Sequence, residues 1–557
     1  MVMKIRAAKM SRDPFLVIDV DLDEFRRSTL MDWSFFTKKK NITIRHNSSR
    51  LVIGNELAYP KVFIVQFKNA VIAGYAEPNI VKRISGFYRK YKCDLASYVK
   101  EIDKNEYHEY LLISLDFDSN NISVRRDAWC TIPIFYGRKN TRFILSNEFS
   151  YVAEIVCKDD ISISGQCIAE SLLSLDEDDR TILADVHLLP ERSLLLQNQK
   201  QKARIVRPKS IDKPRQLTGL SEKEMRDGLH QHLKSTLRSM QKRVGQSANL
   251  GFELSGGLDT SAVVGTCASL DMGQIKTYSL VLPGDQGKSQ NAKKVEMVST
   301  FNIRNKTVSA RQFYPLKSIV ESKKLPVRYP SSEIYAEMVD HQARVMKKDN
   351  IDVAVTGFGG DELFLLDPRE DVGFGGKQER QYRKNIKMPA YYTDLFRQLL
   401  ISNLPSSKLG IIPPVPYSVL SSHVARNNIY VRRGVWPLAP LSTPNLVAYC
   451  RSLPYKWREG KKIMREYQKH LGYPSGVYTP EENENFAQLF DATMRTKWRD
   501  LFMKLLRGSI LSKLGIVKSD VLIKEYRDFI KGKSQIKPFK LFVVIEQEIL
   551  LNALASL

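Results

Sequence analysis

The chain has 557 residues, room for two or three domains of ordinary size. A hydrophobic fraction of 43% and an aromatic fraction of 10% exclude a chain disordered throughout, and near-average Gly and Pro (29 and 24) exclude collagen-like and low-complexity classes. Lys and Arg outnumber Asp and Glu by 86 to 61, a net charge of +25, but they are scattered with no repeated basic-aromatic module; the reading is a basic surface, and no nucleic acid is expected as a partner.

No run approaches the roughly 18 uncharged apolar residues of a membrane-spanning helix, so no span is expected. The start, Met1-Val2-Met3-Lys4-Ile5-Arg6, is basic but has no apolar block after it; it does not read as a signal peptide, and a cytoplasmic location is expected. The six cysteines (Cys93, Cys130, Cys157, Cys167, Cys267, Cys450) form no CxxC and have no His at metal-ligand spacing. They are expected as buried small hydrophobes.

Residues 1–210 read as a first, β-rich domain. Short apolar runs at 61–67, 109–117, 122–126, 132–136, 143–146 and 193–196 alternate with turn signals, of which Asp118-Ser119-Asn120-Asn121 is a hairpin turn. The basic stretch 197–215 reads as a linker, and a second domain is expected over 211–557. It opens with a helix over 221–244, with Ser221 and Glu224 as a capping box. Strands are expected at 249–254, 277–282 and 353–355, with helices at 261–270, 291–301 and 332–347 between them. That alternation predicts a parallel sheet covered on both faces. From Ala390 the chain reads helical, with Pro-rich breaks at 412–416 and 436–444.

The sharpest motif is Leu254-Ser255-Gly256-Gly257-Leu258-Asp259-Thr260-Ser261, at the end of the first of these strands. Two glycines let the backbone turn with its N–H groups pointing into one concavity. Ser255, Thr260 and Ser261 add hydroxyl donors, and the following helix adds the positive end of its dipole. The set suits a pyrophosphate group. Asp259 cannot favour bare phosphate, but it makes sense as a ligand to a bridging Mg²⁺. The 353–355 strand runs into a second glycine loop, Thr356-Gly357-Phe358-Gly359-Gly360-Asp361-Glu362. In a parallel sheet both loops share one edge, where ligands bind, so Asp361 is expected to face Asp259 across one metal ion. Val281, at the end of the middle strand, joins Leu254, Ser255, Gly256, Gly257, Leu258, Thr260, Ser261, Gly357 and Phe358 as the expected cofactor-binding set. Asp361 and Glu362 are the candidate catalytic acids.

Both loops resemble the ATP-pyrophosphatase domain of the asparagine synthetase family, over most of residues 225–475. The likeness extends to Pro440-Leu441, Leu453-Pro454 and Lys462-Ile463-Met464-Arg465, similar to the family's "PFLD … LP … K-x-LR" tail. The first domain is similar, more weakly, to the family's glutaminase domain: Arg126–Tyr136 resembles its "RDPxGxxPLYY" strand, Leu145–Glu148 its "ASE" strand and Leu188–Glu191 its "LPPG" turn. The resemblance implies a glutaminase-like sandwich of the Ntn type, followed by a doubly wound ATP-pyrophosphatase domain with a helical extension. It implies ATP and Mg²⁺, adenylation of a carboxylate, and attack by an amine to give an amide, AMP and pyrophosphate.

The chain departs from the family in three places. The glutaminase nucleophile is a Cys directly after the initiator Met; Val2 and Met3 stand there, and no Cys precedes Cys93, so no activated thiolate is expected. Phe358 replaces an acid of the asparagine synthetases, which implies a bulkier substrate. The family's late Arg-x-Lys pair, expected before Phe486, is replaced by Glu481-Glu482-Asn483-Glu484-Asn485. Lys462, Arg465 or the Arg495–Lys497 stretch are the candidates to take its place, with Lys462 and Arg465 preferred as catalytic cations. The combination resembles the branch that forms intramolecular amides, the lasso-peptide macrolactam cyclases and β-lactam synthetases. The expected substrate is a peptide or small-molecule carboxylate, with a leader-peptide protease and a recognition protein as accompanying partners. The alternatives are an ammonia-dependent asparagine synthetase and a non-catalytic nucleotide-binding scaffold.

Overall fold

The computed structural model describes residues 15–38, 41–54, 57–104, 106–158, 160–175, 179–198, 203–212, 214–246, 248–270, 272–281, 284–310, 312–330, 332–364, 377–402, 412–480 and 486–556. Val2, Met3, Leu282 and the Glu481–Asn485 stretch lie outside them.

The first half carries two antiparallel sheets. Among the described residues one has seven strands in the order 186–188, 135–139, 142–146, 16–21, 49–54, 41–46, 34–38; the other has six in the order 204–206, 194–197, 121–126, 110–116, 70–76, 61–67. Period-two alternation sorts their side chains into layers. Leu16, Ile18 and Val20 meet Val71, Ala73, Leu111 and Ile113 in a core between the sheets. Ile72, Ala76 and Leu112 face outward onto helices Pro78–Tyr91 and Leu95–Ile102. Val17, Phe135 and Ile144 face outward onto helix Phe149–Val156. The result is a sandwich with helices on both outer faces. The sequence reading missed these helices and the strand Leu16–Asp21, which sits inside the seven-stranded sheet. Two Asp residues broke its apolar signal, yet Asp19 is 1% exposed and paired with Arg142 at 2.5 and 2.8 Å. The expected linker contains a strand, Arg204–Val206, paired to 194–196.

The second half holds a parallel sheet of five strands in the order Arg304–Ser309, Lys276–Val281, Leu250–Glu253, Val353–Val355, Trp436–Leu438. The chain winds outward from Leu250–Glu253 in one direction, then returns past it to build the other side. The winding reverses between Leu250–Glu253 and Val353–Val355, and a crevice opens at the carboxyl ends of two such strands. Phe252, Val353 and Val355 pack on one face against helices Glu222–Val244 and Leu258–Ser269. Tyr278 and Ala354 pack on the other against Ala336–Lys348 and Tyr417–Val431. Two strands were not expected. Arg304–Ser309 exposes most of its residues, as an edge strand can. Trp436–Leu438 was read as a Pro-rich break, but Pro437 is tolerated because this strand is the other edge. The Ser221–Glu224 capping box is present, and among the described residues from Ala390 on the regular elements are helical apart from that edge strand. Among the described residues no helix is long and apolar enough to cross a membrane. Five of the cysteines are buried and Cys93 is partly exposed.

The two halves share one core, in which Leu16 and Ile113 belong to the same cluster as Leu229 and Phe252. Polar contacts reinforce it. Asn428 donates to the Asn147 carbonyl at 2.6 Å, Asn427 to the Thr131 carbonyl at 2.7 Å, and Arg432 pairs with Glu148.

Candidate active site

The two glycine loops follow the two strands that flank the reversal and lie against each other. Gly256 (φ 90°) and Gly359 (φ 91°) occupy left-handed backbone that a side chain disfavours. The stronger constraint is contact. A Cβ on Gly357 would stand 2.7 Å from Thr260 Cγ2, and one on Gly360 would stand 2.1 Å from Asp259 Cγ. The glycines therefore bring Asp259 and Asp361 to one place.

Inside the first loop the hydroxyls brace the backbone. Ser255 Oγ and Thr260 Oγ1 are 2.9 Å apart, the Ser255 N–H donates to Thr260 Oγ1 at 3.1 Å, and the Gly257 N–H donates to Ser255 Oγ at 3.1 Å. The helix begins at Leu258, three residues before the expected start, so Asp259 lies in its first turn and its N-terminus faces the cleft. Ser261 is fully buried beneath the loop and does not line the cleft, which corrects its expected role as a phosphate donor.

The cleft has a volume of about 780 Å³. Leu254, Ser255, Gly256, Gly257, Leu258, Asp259 and Thr260 form one wall; Gly357, Phe358 and Asp361 form the facing wall. Val281 is not on the lining; Tyr278 and Leu280 of the same strand are, because alternate residues of a strand share a face. Glu362 is likewise off the lining, and burial pushes its carboxyl up to about 7.

The cation at the centre is Lys461, not Lys462. Lys461 Nζ lies 2.6 Å from Asp259 Oδ2 and 2.6 Å from Asp361 Oδ1. Gly460 and Lys461 both have φ 58°, a left-handed turn that aims Lys461 inward before the helix starts at Lys462. Lys462 instead places its ammonium 4.1 Å from the Trp457 ring centre, outside the lining. Arg465 does line the cleft, and it holds the Gly460 and Tyr478 carbonyls at 2.9 and 2.6 Å. Arg495, another candidate for the missing late cation, pairs with Asp491 and caps Phe529 away from the cleft. Burial raises the Asp259 pKa and Lys461 only partly offsets this. Burial works against the Lys461 charge, yet Asp259 and Asp361 hold its pKa above the usual lysine value.

Beyond Phe358 the cleft has a second polar set that the sequence reading did not find. Arg426 lies 4.8 Å over the Phe358 ring and pairs with Glu253 at 2.8 Å; Tyr430 donates to the same carboxylate. Arg426, Glu253 and Glu333 all line the cleft. An isolated Arg in a helix more than sixty residues from either loop carries no local signal. For Lys461 the signal was present, one residue from the chosen lysine.

The residues fit a divalent ion. The carboxylates of Asp259 and Asp361 meet at one cation, the Lys461 ammonium, 2.6 Å from an oxygen of each, and a pair of carboxylates at one point is the donor set with which Mg²⁺ is held beside substrate phosphates.

Residues 232–393, which contain both glycine loops, match the family model described as asparagine synthase. The other wall of the site, with Arg426, Lys461 and Arg465, lies beyond the matched segment. No curated protein matches the chain. Among solved structures, an NMN synthetase from Francisella tularensis is 14% identical, covering 60% of this chain and 96% of its own, with a TM-score of 0.23. An NH3-dependent NAD synthetase from Campylobacter jejuni is 12% identical, covering 26% of this chain and 60% of its own, with a TM-score of 0.17. Scores this low carry no argument about the reaction. The family match does: with residues 232–393 similar to asparagine synthase, the chain is an ATP-dependent ligase enzyme.

Proposed function

We propose that the enzyme adenylates a substrate carboxylate with MgATP and joins the acyl group to an amine of the same peptide, as a macrolactam cyclase does. The observation that carries this reading is the convergence of Asp259, Asp361 and Lys461 beside a glycine loop and a helix N-terminus in one cleft.

The roles follow from the positions. The N-terminus of helix Leu258–Ser269, with the loop N–H groups other than those of Ser255 and Gly257, receives the β- and γ-phosphates. Asp259 and Asp361 would hold the Mg²⁺, whose contribution is to neutralise charge on the departing pyrophosphate. Lys461 and Arg465 add positive charge at the same end of the cleft, where it acts most on the charge that develops in the transition state. A carboxylate oxygen of the substrate attacks the α-phosphorus and pyrophosphate leaves. The amine nitrogen then attacks the acyl carbon, loses a proton and expels AMP.

Phe358 and its Arg426 support favour a bulky substrate over aspartate, because the ring offers contact area where an acid would receive an ammonium group. The sandwich half, here read as a degenerate glutaminase-like domain, acts as a packing platform that shares its core with the half carrying the cleft. A leader-peptide protease and a recognition protein are the partners this reading proposes. The test is pyrophosphate–ATP exchange stimulated by a peptide that carries both an amine and a side-chain carboxylate, with a product lighter by one water. Exchange stimulated only by aspartate, with asparagine formed from ammonia, contradicts the cyclase reading; no exchange with any carboxylate contradicts the ligase reading.

A further inference from the structure

Lys461 occupies the position that the two loop carboxylates would offer to a metal ion. Its ammonium reaches both oxygens of Asp259, at 2.8 and 2.6 Å, and Asp361 Oδ1 at 2.6 Å. The lysine side chain is 15% exposed and that of Asp259 21%, whereas that of Asp361 is 68% exposed, so the cluster is closed on the first loop and open to solvent on the second. The left-handed turn at Gly460 and Lys461 leaves the lysine at the end of a short irregular segment, outside the regular hydrogen bonding of the helix that follows.

Charge decides what such a cluster binds. Two carboxylates alone present −2 and attract a bare divalent cation. With the ammonium between them the cluster is −1, and its best-placed oxygens are already engaged. A divalent ion gains a net advantage only when anionic phosphates arrive with it, since these both add ligands and provide a new partner for the displaced ammonium. We propose that Lys461 is a built-in stand-in cation that keeps free divalent ions out of the Asp259–Asp361 pair, so that the metal enters only together with a polyphosphate. This deepens the nucleotide reading of the cleft and rests on it.

The experiment is a Mn²⁺ titration of the full chain, followed by the loss of the free-ion electron paramagnetic resonance signal. Without nucleotide, wild type is expected to bind Mn²⁺ weakly. Lys461→Met is expected to gain one site at least about tenfold tighter, through removal of a repulsive charge at contact distance. That site is expected to vanish in Lys461→Met/Asp361→Asn. Lys461→Gln keeps donors for both carboxylates without the charge; it guards against misfolding of the Met variant and is expected to shift the same way. Adding AMPCPP, an ATP analogue whose α–β bond cannot be cleaved, is expected to create the tight site in wild type beyond the Mn²⁺ that the nucleotide binds alone. Equal nucleotide-free affinity in wild type and both variants overturns the proposal. A gain in the variants with no response of any of the proteins to AMPCPP supports the stand-in role of Lys461 while removing the nucleotide reading, so the two failures are distinguishable.

Discussion

The cleft and the buried junction between the two halves are both built from charged residues on strands and strand ends, but in the cleft the charges face open space and in the junction they face the chain. At the junction Glu109 accepts from Tyr59 at 3.0 Å, from Trp436 Nε1 at 2.9 Å and from Thr131. Asp127 accepts from the Tyr110 and Cys130 N–H groups at 2.9 and 2.7 Å. Arg126 donates to the carbonyls of Leu189, Cys130 and Ile132. Every one of these partners belongs to the protein. In the cleft, Asp361 is 68% exposed and the glycine loop lines about 780 Å³ of space. The Arg126–Tyr136 motif that resembles a glutaminase strand is engaged in packing in this chain, whereas the two glycine loops line the cleft proposed for the nucleotide.

That contrast breaks most sharply at Asp259. Asp259→Ala removes a carboxylate from the ligand side, and pyrophosphate–ATP exchange should fall by at least about a hundredfold, as when a key electrostatic contact of a transition state is lost, while the circular-dichroism melt stays cooperative. Gly360→Ala attacks the contact between the loops. Its Cβ would stand 2.1 Å from Asp259 Cγ, so stability should drop by about 1–3 kcal/mol and exchange should fall with it; an unchanged melt and unchanged exchange would show that the loops do not depend on this contact. Phe358→Leu should keep exchange and weaken product formation about five- to thirtyfold, the ~1–2 kcal/mol of a lost aromatic contact. Lys462→Ala should alter exchange by no more than about threefold, because its ammonium rests on Trp457 at a cost of about 0.5–1 kcal/mol; a loss like that of Asp259→Ala would restore Lys462 to the site.

The junction makes its own prediction through pH. Burial pushes Glu109 from 4.5 up to about 7 and Asp127 from 3.8 up to about 8, so between those values the folded chain holds more protons than the unfolded one and these two groups lower stability as pH rises. Burial pushes His423 down from 6.5 to about 4, so the histidine raises stability with pH over that lower window and opposes them. Above pH 6.5 only the two acids act among these three, and the melting temperature should decline toward pH 8. Glu109→Gln should flatten that decline; a slope identical to wild type would show that Glu109 does not titrate there.

The sequence made the first glycine loop legible because its function demands a local pattern: a strand end, two glycines and an acid in a row. The second loop was legible for the same reason, and the parallel sheet followed from the alternation of strands and helices. What escaped has no local pattern. Arg304–Ser309 is a strand because Lys276–Val281 offers it an edge, not because its own residues are apolar. Trp436–Leu438 hides a strand behind a proline that only an edge position tolerates. Arg426 enters the cleft from a helix whose placement depends on the whole second half. Lys461 and Lys462 are adjacent and chemically identical; only the left-handed turn at Gly460 and Lys461 separates them, and no spacing rule in the sequence contains that turn.

The central claim is that Asp259 and Asp361, brought together by the two glycine loops, form the nucleotide site of an acid–amine ligase. Pyrophosphate–ATP exchange in wild type and in Asp361→Asn, at saturating Mg²⁺ and with a peptide carboxylate present, tests it most directly. Asn keeps the size of the side chain and removes the charge that offsets the metal and Lys461. The account predicts exchange in wild type and a loss of at least about a hundredfold in the variant with its melt unchanged. Exchange in Asp361→Asn at the wild-type rate would contradict it.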